Sequence, residues 1–391
     1  MAASRVAPLG SNFARTIAYS RDPQQIAHHV PPRTFIVAEA GVNHNGSTER
    51  AMAMVRAAAT AGADAVKFQS FRTELEVTRT APKADYQARN TGDAGSQFAM
   101  LKALELSEPD QRALMDACAA AGIEFMSTPF DPVSAAFLIG APAVKRLKVA
   151  SGELTNGPLL LQLARSGKPI VLSTGMADLD DVRAALAVLA FGYASPPDKK
   201  PSPAAFENAL ASPAGRTALR ANVTLLHCTS DYPAPPNSIN LRAMDTLAET
   251  FGLAVGLSDH SLGIAVAIAA VARGAAMIEK HFTIDRALPG PDHAASLTTA
   301  ELAEMVAAIR TVELAFGDGR KLPAAAERPT RVVARKSLVA LAPIRAGEAF
   351  STANLGAKRP GHGVTPMLYW SYLGRPSPRA YAADDLIDPF D

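Results

Sequence analysis

The sequence predicts an α/β chain, a (β/α)8 barrel of the TIM type followed by a small C-terminal domain. Three observations lead there. Eight short apolar runs alternate with Ala-rich amphipathic stretches between residues 34 and 316, which is the pattern of strands and helices in turn. Nearly every run ends on a polar residue, as expected where strand ends converge on one mouth. After Phe316 the texture changes to linker composition and then to short β-type runs set off by Gly and Pro. A chain of 391 residues also exceeds the size at which one hydrophobic core stops growing.

The runs are TFIVAE (34–39), ADAVKFQ (63–69), IEFMST (123–128), VKRLKVA (144–150), PIVLST (169–174), VTLLHC (223–228), LAVGLSD (253–259) and AAMIEKH (275–281). Between them TERAMAMVRAAATAG, PDQRALMDACAAAG and LDDVRAALAVLAFG each close near a Gly, where helix C-termini place it. Such alternation implies a parallel sheet with right-handed crossovers, and eight units over about 290 residues suit a closed barrel. An open, doubly wound sheet is the alternative. Residues 70–107 form a long loop containing YQARNTGDAGSQ, placed to cover a site at the end of the second strand. Residues 193–221 read as a Pro/Ser-rich insertion, to which no function attaches. Residues 317–331 read as a linker, 332–391 as the small domain and 1–30 as an N-terminal extension. A tail this short holds little core unless it packs on something larger.

A formal charge of +2, from 39 basic and 37 acidic residues, supplies no global attraction to nucleic acid or to a membrane surface. Any anion site must be local. Cys118 and Cys228 are the only cysteines, too few for a disulfide scaffold and without zinc-motif spacing, so a cytoplasmic setting is expected. The longest apolar run, IAVAIAAVARGAAM from 264, is broken by Arg273 and Gly274 and falls short of the roughly 20 residues that span a bilayer.

The strand ends carry the chemistry. The first ends in Glu39, the second in Lys67 and Gln69, the third in Thr128, the fourth in Lys148 and then Ser151, the fifth in Ser173 and Thr174, the sixth in His227, the seventh in His260 and the eighth in His281. Lys67 and Lys148 with Thr128, Ser151 and Ser173 would make a cradle of two ammonium groups and three hydroxyls, which is what a phosphate requires. Each lysine alone can equally reach solvent. His260 and His281, on adjacent strands, can share a divalent cation. Two imidazoles leave positions for water and substrate oxygen, which suits Mn2+ or Mg2+ as a Lewis acid better than structural zinc. Glu39 faces them as a candidate base, or as a partner for Lys67. His227 and Cys228 do not make a nucleophile pair, because strand neighbours point to opposite faces.

The ordered set EAGVNHNG, VKFQ, STPFD, KVASGEL, LSTGM, LHCTSDYPAP, GLSDHSLG, IEKHFT and GPDH resembles the N-acetylneuraminate (sialic acid) synthase family from about residue 33 onward. The tail, with RKSLVA, IRAGEAF and KRPGHGV, resembles that family's antifreeze-like (SAF, β-clip) domain. The resemblance implies condensation of phosphoenolpyruvate with a 2-acylamino sugar aldehyde, such as N-acetylmannosamine, to a nine-carbon 2-keto acid and phosphate. Carried over by motif, Lys67, Thr128, Lys148, Ser151 and Ser173 hold phosphoenolpyruvate with Gln69 beside them. His260 and His281 bind the Mn2+ or Mg2+, Glu39 is the base, and Tyr232 and Asp292 contact the sugar. Family members form domain-swapped homodimers in which the small domain closes over the other chain's barrel. Arg359 in KRPG matches the arginine that reaches the partner's N-acyl group, with Arg335 a weaker candidate.

The primary reading is therefore a sialic acid synthase. Ser230 stands where some of these enzymes have Asn, and relatives making legionaminic or pseudaminic acid share this variant, so a legionaminic or pseudaminic acid synthase is the alternative. A Schiff-base aldolase working through Lys148, a non-catalytic sugar-binding protein, and an aldol synthase acting on sugar phosphates are the remaining rivals.

Overall fold

The computed structural model describes residues 33–92 and 95–390. The extension read over 1–30 lies outside the described residues. The chain divides into two compact units, the first ending at Asp318 and the second running from Gly319.

The first unit is the expected barrel. Its strands are β1 (Phe35–Gly41), β2 (Ala65–Ser70), β3 (Glu124–Pro129), β4 (Leu147–Val149), β5 (Ile170–Ser173), β6 (Val223–Cys228), β7 (Ala254–Asp259) and β8 (Met277–Thr283). All pair in parallel, in the order β3-β2-β1-β8-β7-β6-β5-β4. The two ends of that path, β3 and β4, pack beside each other without a ladder, so the barrel is nearly closed and the open-sheet alternative is excluded.

Strand alternation sorts the residues into an inside and an outside. Val37, Ala65, Met126, Val171, Leu226 and Met277 form a separate apolar plug inside the barrel, the layered filling expected of this fold. Their sequence neighbours, among them Ile36, Val66, Phe125, Leu172, Leu225 and Ile278, belong to the main core beneath the helices. The outer position also accounts for two charges inside the IEKHFT and SDHS motifs. Lys280 and Asp259 pair at 2.8 Å, both buried, on the outward parity opposite to Ser258 and Glu279.

Helix starts follow local chemistry. Ser47, Ser107, Asp131, Asp178 and Thr298 each accept a backbone N–H of the helix that follows them, which satisfies donors that no intrahelical partner can reach. The same rule overturns one expectation. The 193–221 insertion is not an irregular loop but two helices, Pro203–Ala211 and Pro213–Asn222, capped by Ser202 and Ser212 with Pro at the first helical position. Proline is tolerated there because its missing N–H would have had no partner.

The second unit has its own small core of Leu338, Ala340, Ile344, Phe350, Leu355, Tyr372, Tyr381 and Ile387 around an antiparallel pair, Ser337–Ala340 with Leu355–Lys358. The segment read as linker contains the start of a helix, Glu327–Ala334. Arg335 ends that helix and Arg359 follows the second strand, and both are exposed. Their segments lie together, since the Gly361 N–H donates to the Val332 carbonyl at 2.7 Å. No helix of the described residues is long and apolar enough to cross a membrane.

Candidate active site

One residue above the apolar plug on each inward row, the interior turns polar. Every strand contributes one side chain to this ring: Glu39, Lys67, Thr128, Lys148, Ser173, Cys228, Ser258 and Glu279, in chain order from β1 to β8. The ring floors a cavity of about 710 Å3, a size that holds small substrates. Gln69, Ser151, Tyr232, His260, His281 and Asp292 line its walls. The barrel residues predicted from strand ends are thus brought together, with two exceptions: Thr174, whose Oγ1 donates to the Leu226 carbonyl at 3.0 Å, and His227. His227 faces outward and its Nε2 lies 2.6 Å from the Ile239 carbonyl, because the inward parity of β6 falls on Leu226 and Cys228.

The lysines are tightly held. Lys67 Nζ lies 2.6 Å from Glu39 Oε2 and donates to Thr128 Oγ1 at 3.1 Å. Lys148 Nζ donates to Ser173 Oγ at 2.7 Å. Between them stands Glu279, 3.6 Å from Lys67 and 3.5 Å from Lys148, accepting from Ser258 Oγ at 2.9 Å. Strand register explains the contacts, since Glu39 is level with Lys67 on one side and with His281 on the other, and Ser258 with Glu279.

Burial and charge set the protonation states. Burial alone would raise Glu279, but Lys148, Lys67 and the Ser258 hydroxyl overcome it and hold the carboxyl at about 2. Glu39 goes the other way. Burial lifts it to about 7, against the pull of Lys67 and with the repulsion of Glu279. Two carboxyls of one ring are driven apart, one a permanent anion and one poised to exchange a proton near neutrality, which is how acid–base assignments arise. Burial also lowers Lys148 and opposes the two carboxylates that raise Lys67.

The imidazoles sit above the ring with centroids 5.5 Å apart. His260 Nδ1 lies 2.7 Å from the Thr229 carbonyl; a carbonyl only accepts, so Nδ1 carries the hydrogen, and Nε2 has a lone pair in the neutral ring. Burial lowers the pKa of His260, but Cys228 and that carbonyl outweigh it and raise the value. His281 Nδ1 is buried without a hydrogen-bond partner, 3.9 Å from Asp292 Oδ2. Burial, followed by His260 and Lys67, holds its pKa well below the ordinary value, so the ring is neutral and free to ligate. Gly41, at φ +52°, opens this corner, because a Cβ there would come within 3.1 Å of Glu39 Oε1 and 3.3 Å of His281 Cε1. Among the described residues no three His, Cys, Asp or Glu donors converge as a closed metal cluster. Two imidazole lone pairs beside one carboxylate fit a divalent ion with open positions better than a structural zinc.

The 70–107 segment folds over this mouth as short helices, Thr73–Glu76, Asp85–Thr91 and Gln97–Lys102, and contributes Glu76, Tyr86, Gln87, Arg89 and Met100 to the cavity wall. Tyr86 stacks on Tyr232 at 4.7 Å, and Tyr232 lies 4.0 Å from the His260 ring. An aromatic column thus runs from the covering segment down to the imidazoles.

The family model described as NeuB matches residues 54–321. The chain belongs to the NeuB family. Among NeuB relatives, it is 42% identical over 355 residues to the N,N'-diacetyllegionaminic acid synthase of Campylobacter jejuni, covering 91% of this chain and 99% of that one. It is 45% identical over 340 residues to the enzyme of the same name from Legionella pneumophila, covering 87% and 89%. The N-acetylneuraminic acid synthetase of Leptospira borgpetersenii shares the fold, with a TM-score of 0.60 and 30% identity over 76% of this chain and 90% of that structure. These three relatives are named as synthases of sialic-acid-type sugars, and the two at 42–45% identity favour the legionaminic alternative over the sialic acid reading.

Several cavity residues escaped the strand-end reading, among them Cys228, Glu279, Ser258, Tyr86 and Glu76. Glu279 and Ser258 lie two positions before His281 and His260, so parity alone could have found them. Tyr86 and Glu76 come from the covering segment, where no periodicity marks them.

Proposed function

We propose that the protein is a phosphoenolpyruvate-dependent synthase of the legionaminic type, joining phosphoenolpyruvate to a diacylamino sugar aldehyde and releasing phosphate. The observation that carries this is the strand-end ring, in which two buried ammonium groups and their hydroxyls share one cavity with a carboxyl that titrates near neutrality and two imidazoles. The 42–45% identity to the two synthases named above supports the choice of sugar.

Lys67 and Lys148, with Thr128, Ser151 and Ser173, hold the phosphate and carboxylate of phosphoenolpyruvate, and Gln69 lies beside them. Glu279 stays anionic and keeps the lysines apart and charged. Tyr232 and Asp292 orient the sugar so that its aldehyde carbon meets C3 of phosphoenolpyruvate. His260 and His281, with a carboxylate oxygen nearby, would hold Mn2+ or Mg2+, which supplies Lewis-acid polarisation of an aldehyde oxygen. The C3–aldehyde carbon bond forms, C2 becomes electron-poor, and water adds there as Glu39 takes its proton. The C2–O bond to phosphate then breaks and leaves the 2-keto acid. The two protons of the water end on the aldehyde-derived hydroxyl and on phosphate. Arg359, with Arg335 beside it, reaches the sugar N-acyl group of a second copy in a homodimer.

The test is phosphate release with phosphoenolpyruvate, Mn2+ and a panel of mono- and diacylamino hexoses. Highest kcat/KM with a diacylamino hexose supports the reading; highest kcat/KM with N-acetylmannosamine replaces it by a sialic acid synthase, the second reading that the Leptospira structure favours.

A further inference from the structure

Glu76 ends the short helix Thr73–Glu76 of the covering segment and lines the cavity. Its Oε2 is buried and makes no hydrogen bond among the described residues. A buried carboxyl oxygen left unpaired costs free energy on the order of 1–3 kcal/mol. The charges that act on it are acids: Glu153 on the turn after β4, Asp131 on the turn after β3, and Glu105 before helix Glu108–Ala121. Two cations of this region are engaged elsewhere, while Arg89 lines the same cavity. Lys102 pairs with Glu74 and Glu105, and Arg72 with Glu108. Asp131 caps the helix Pro132–Gly140 and also accepts the Arg72 N–H. Burial, followed by these three acids, raises the Glu76 carboxyl to about 8, so near neutrality it carries its proton and is a donor.

Resting on the function proposed above, we infer that Glu76 is a specificity-determining residue whose protonated carboxyl donates a hydrogen bond to an acyl carbonyl oxygen of the sugar. The phosphate end of the cavity is fixed by Lys67 and Lys148 on the floor, which leaves the wall under the covering segment, with Glu76, Tyr86 and Gln87, to the sugar. A sugar hydroxyl can accept from an acid or donate to a carboxylate and so does not choose between them. An acyl oxygen only accepts, and it needs the protonated form that these surroundings impose.

The experiment measures KM for both substrates in wild type, Glu76→Ala and Glu76→Gln, with the best acylamino sugar of the panel, and the pH profile of kcat/KM for that sugar. Glu76→Ala is expected to raise sugar KM about tenfold, the worth of one such bond, and to leave phosphoenolpyruvate KM unchanged. Glu76→Gln, whose amide N–H donates to the same oxygen, is expected to stay near wild type. Sugar kcat/KM of wild type is expected to fall relative to Glu76→Gln as pH rises past about 8. Wild-type turnover with an unaffected Glu76→Ala overturns the inference alone, as does a Glu76→Gln variant as impaired as Glu76→Ala, which would mean an accepting carboxylate. Absence of turnover with every acylamino sugar overturns the proposed function, and this inference with it.

Discussion

Lys148 Nζ lies 3.5 Å from Glu279 Oε1, while the other oxygen of the same carboxylate lies 3.6 Å from Lys67 Nζ. One buried anion therefore separates two buried cations. Removing one member of such a group strands the others, at a cost of roughly 3 kcal/mol. Glu279→Gln is expected to lower Tm in the absence of ligand and to regain more of it than wild type when phosphoenolpyruvate is added, because the substrate then supplies the missing negative charge. Thermal melts with and without phosphoenolpyruvate check this. Equal ligand-induced shifts in variant and wild type would remove Glu279 from the account.

His281 Nδ1 supplies a lone pair that no other described residue uses. His281→Ala is expected to keep the fold, to weaken Mn2+ binding read by electron paramagnetic resonance, and to lose metal-dependent turnover by at least about a hundredfold, comparable with loss of an important electrostatic group. Undiminished Mn2+ binding would assign the imidazole another role.

The strand-end groups show how far the sequence could be read. Lys67, Thr128, Lys148 and Ser173 were legible because an inward row alternates with an outward one and barrel strands deliver their last inward residue to a single mouth. His227 misled because a polar residue at the end of an apolar run looks like a site residue until Leu226 and Cys228 fix the parity. Glu279 was hidden by the lysine and histidine that follow it. The helices at 203–211 and 213–222 were masked by their prolines, although the Ser-Pro pairs that start them are helix signals. Tyr86 and Glu76 were not legible at all, since their place over the mouth depends on how the 70–107 segment folds back rather than on any local period.

Stability offers a check on Glu76 that needs no substrate. Its folded pKa of about 8 stands above the ordinary carboxyl value of 4.5, so the native state holds a proton that the unfolded chain releases between those values. Stability from this group is present below about pH 4.5 and is lost as pH rises towards 8. Glu76→Gln cannot titrate. Its Tm relative to wild type is therefore expected to rise across that window in melts at matched ionic strength, and a constant difference would mean the carboxyl is already ionised.

Arg359 is exposed on the second unit, and its proposed contact is with the sugar of a second copy. Arg359→Ala is expected to raise KM for the sugar with little change in KM for phosphoenolpyruvate. The opposite pattern in steady-state kinetics would move the guanidinium to the phosphate end.

The ring of strand ends is read as a site for capture of water at C2 of phosphoenolpyruvate after carbon–carbon bond formation. Phosphate release from phosphoenolpyruvate labelled with heavy oxygen in the C2–O–P bridge tests that most directly. The account predicts that phosphate appears only with an acylamino sugar present and carries the label, because the C–O bond breaks. Phosphate released without sugar, or unlabelled phosphate, would contradict it.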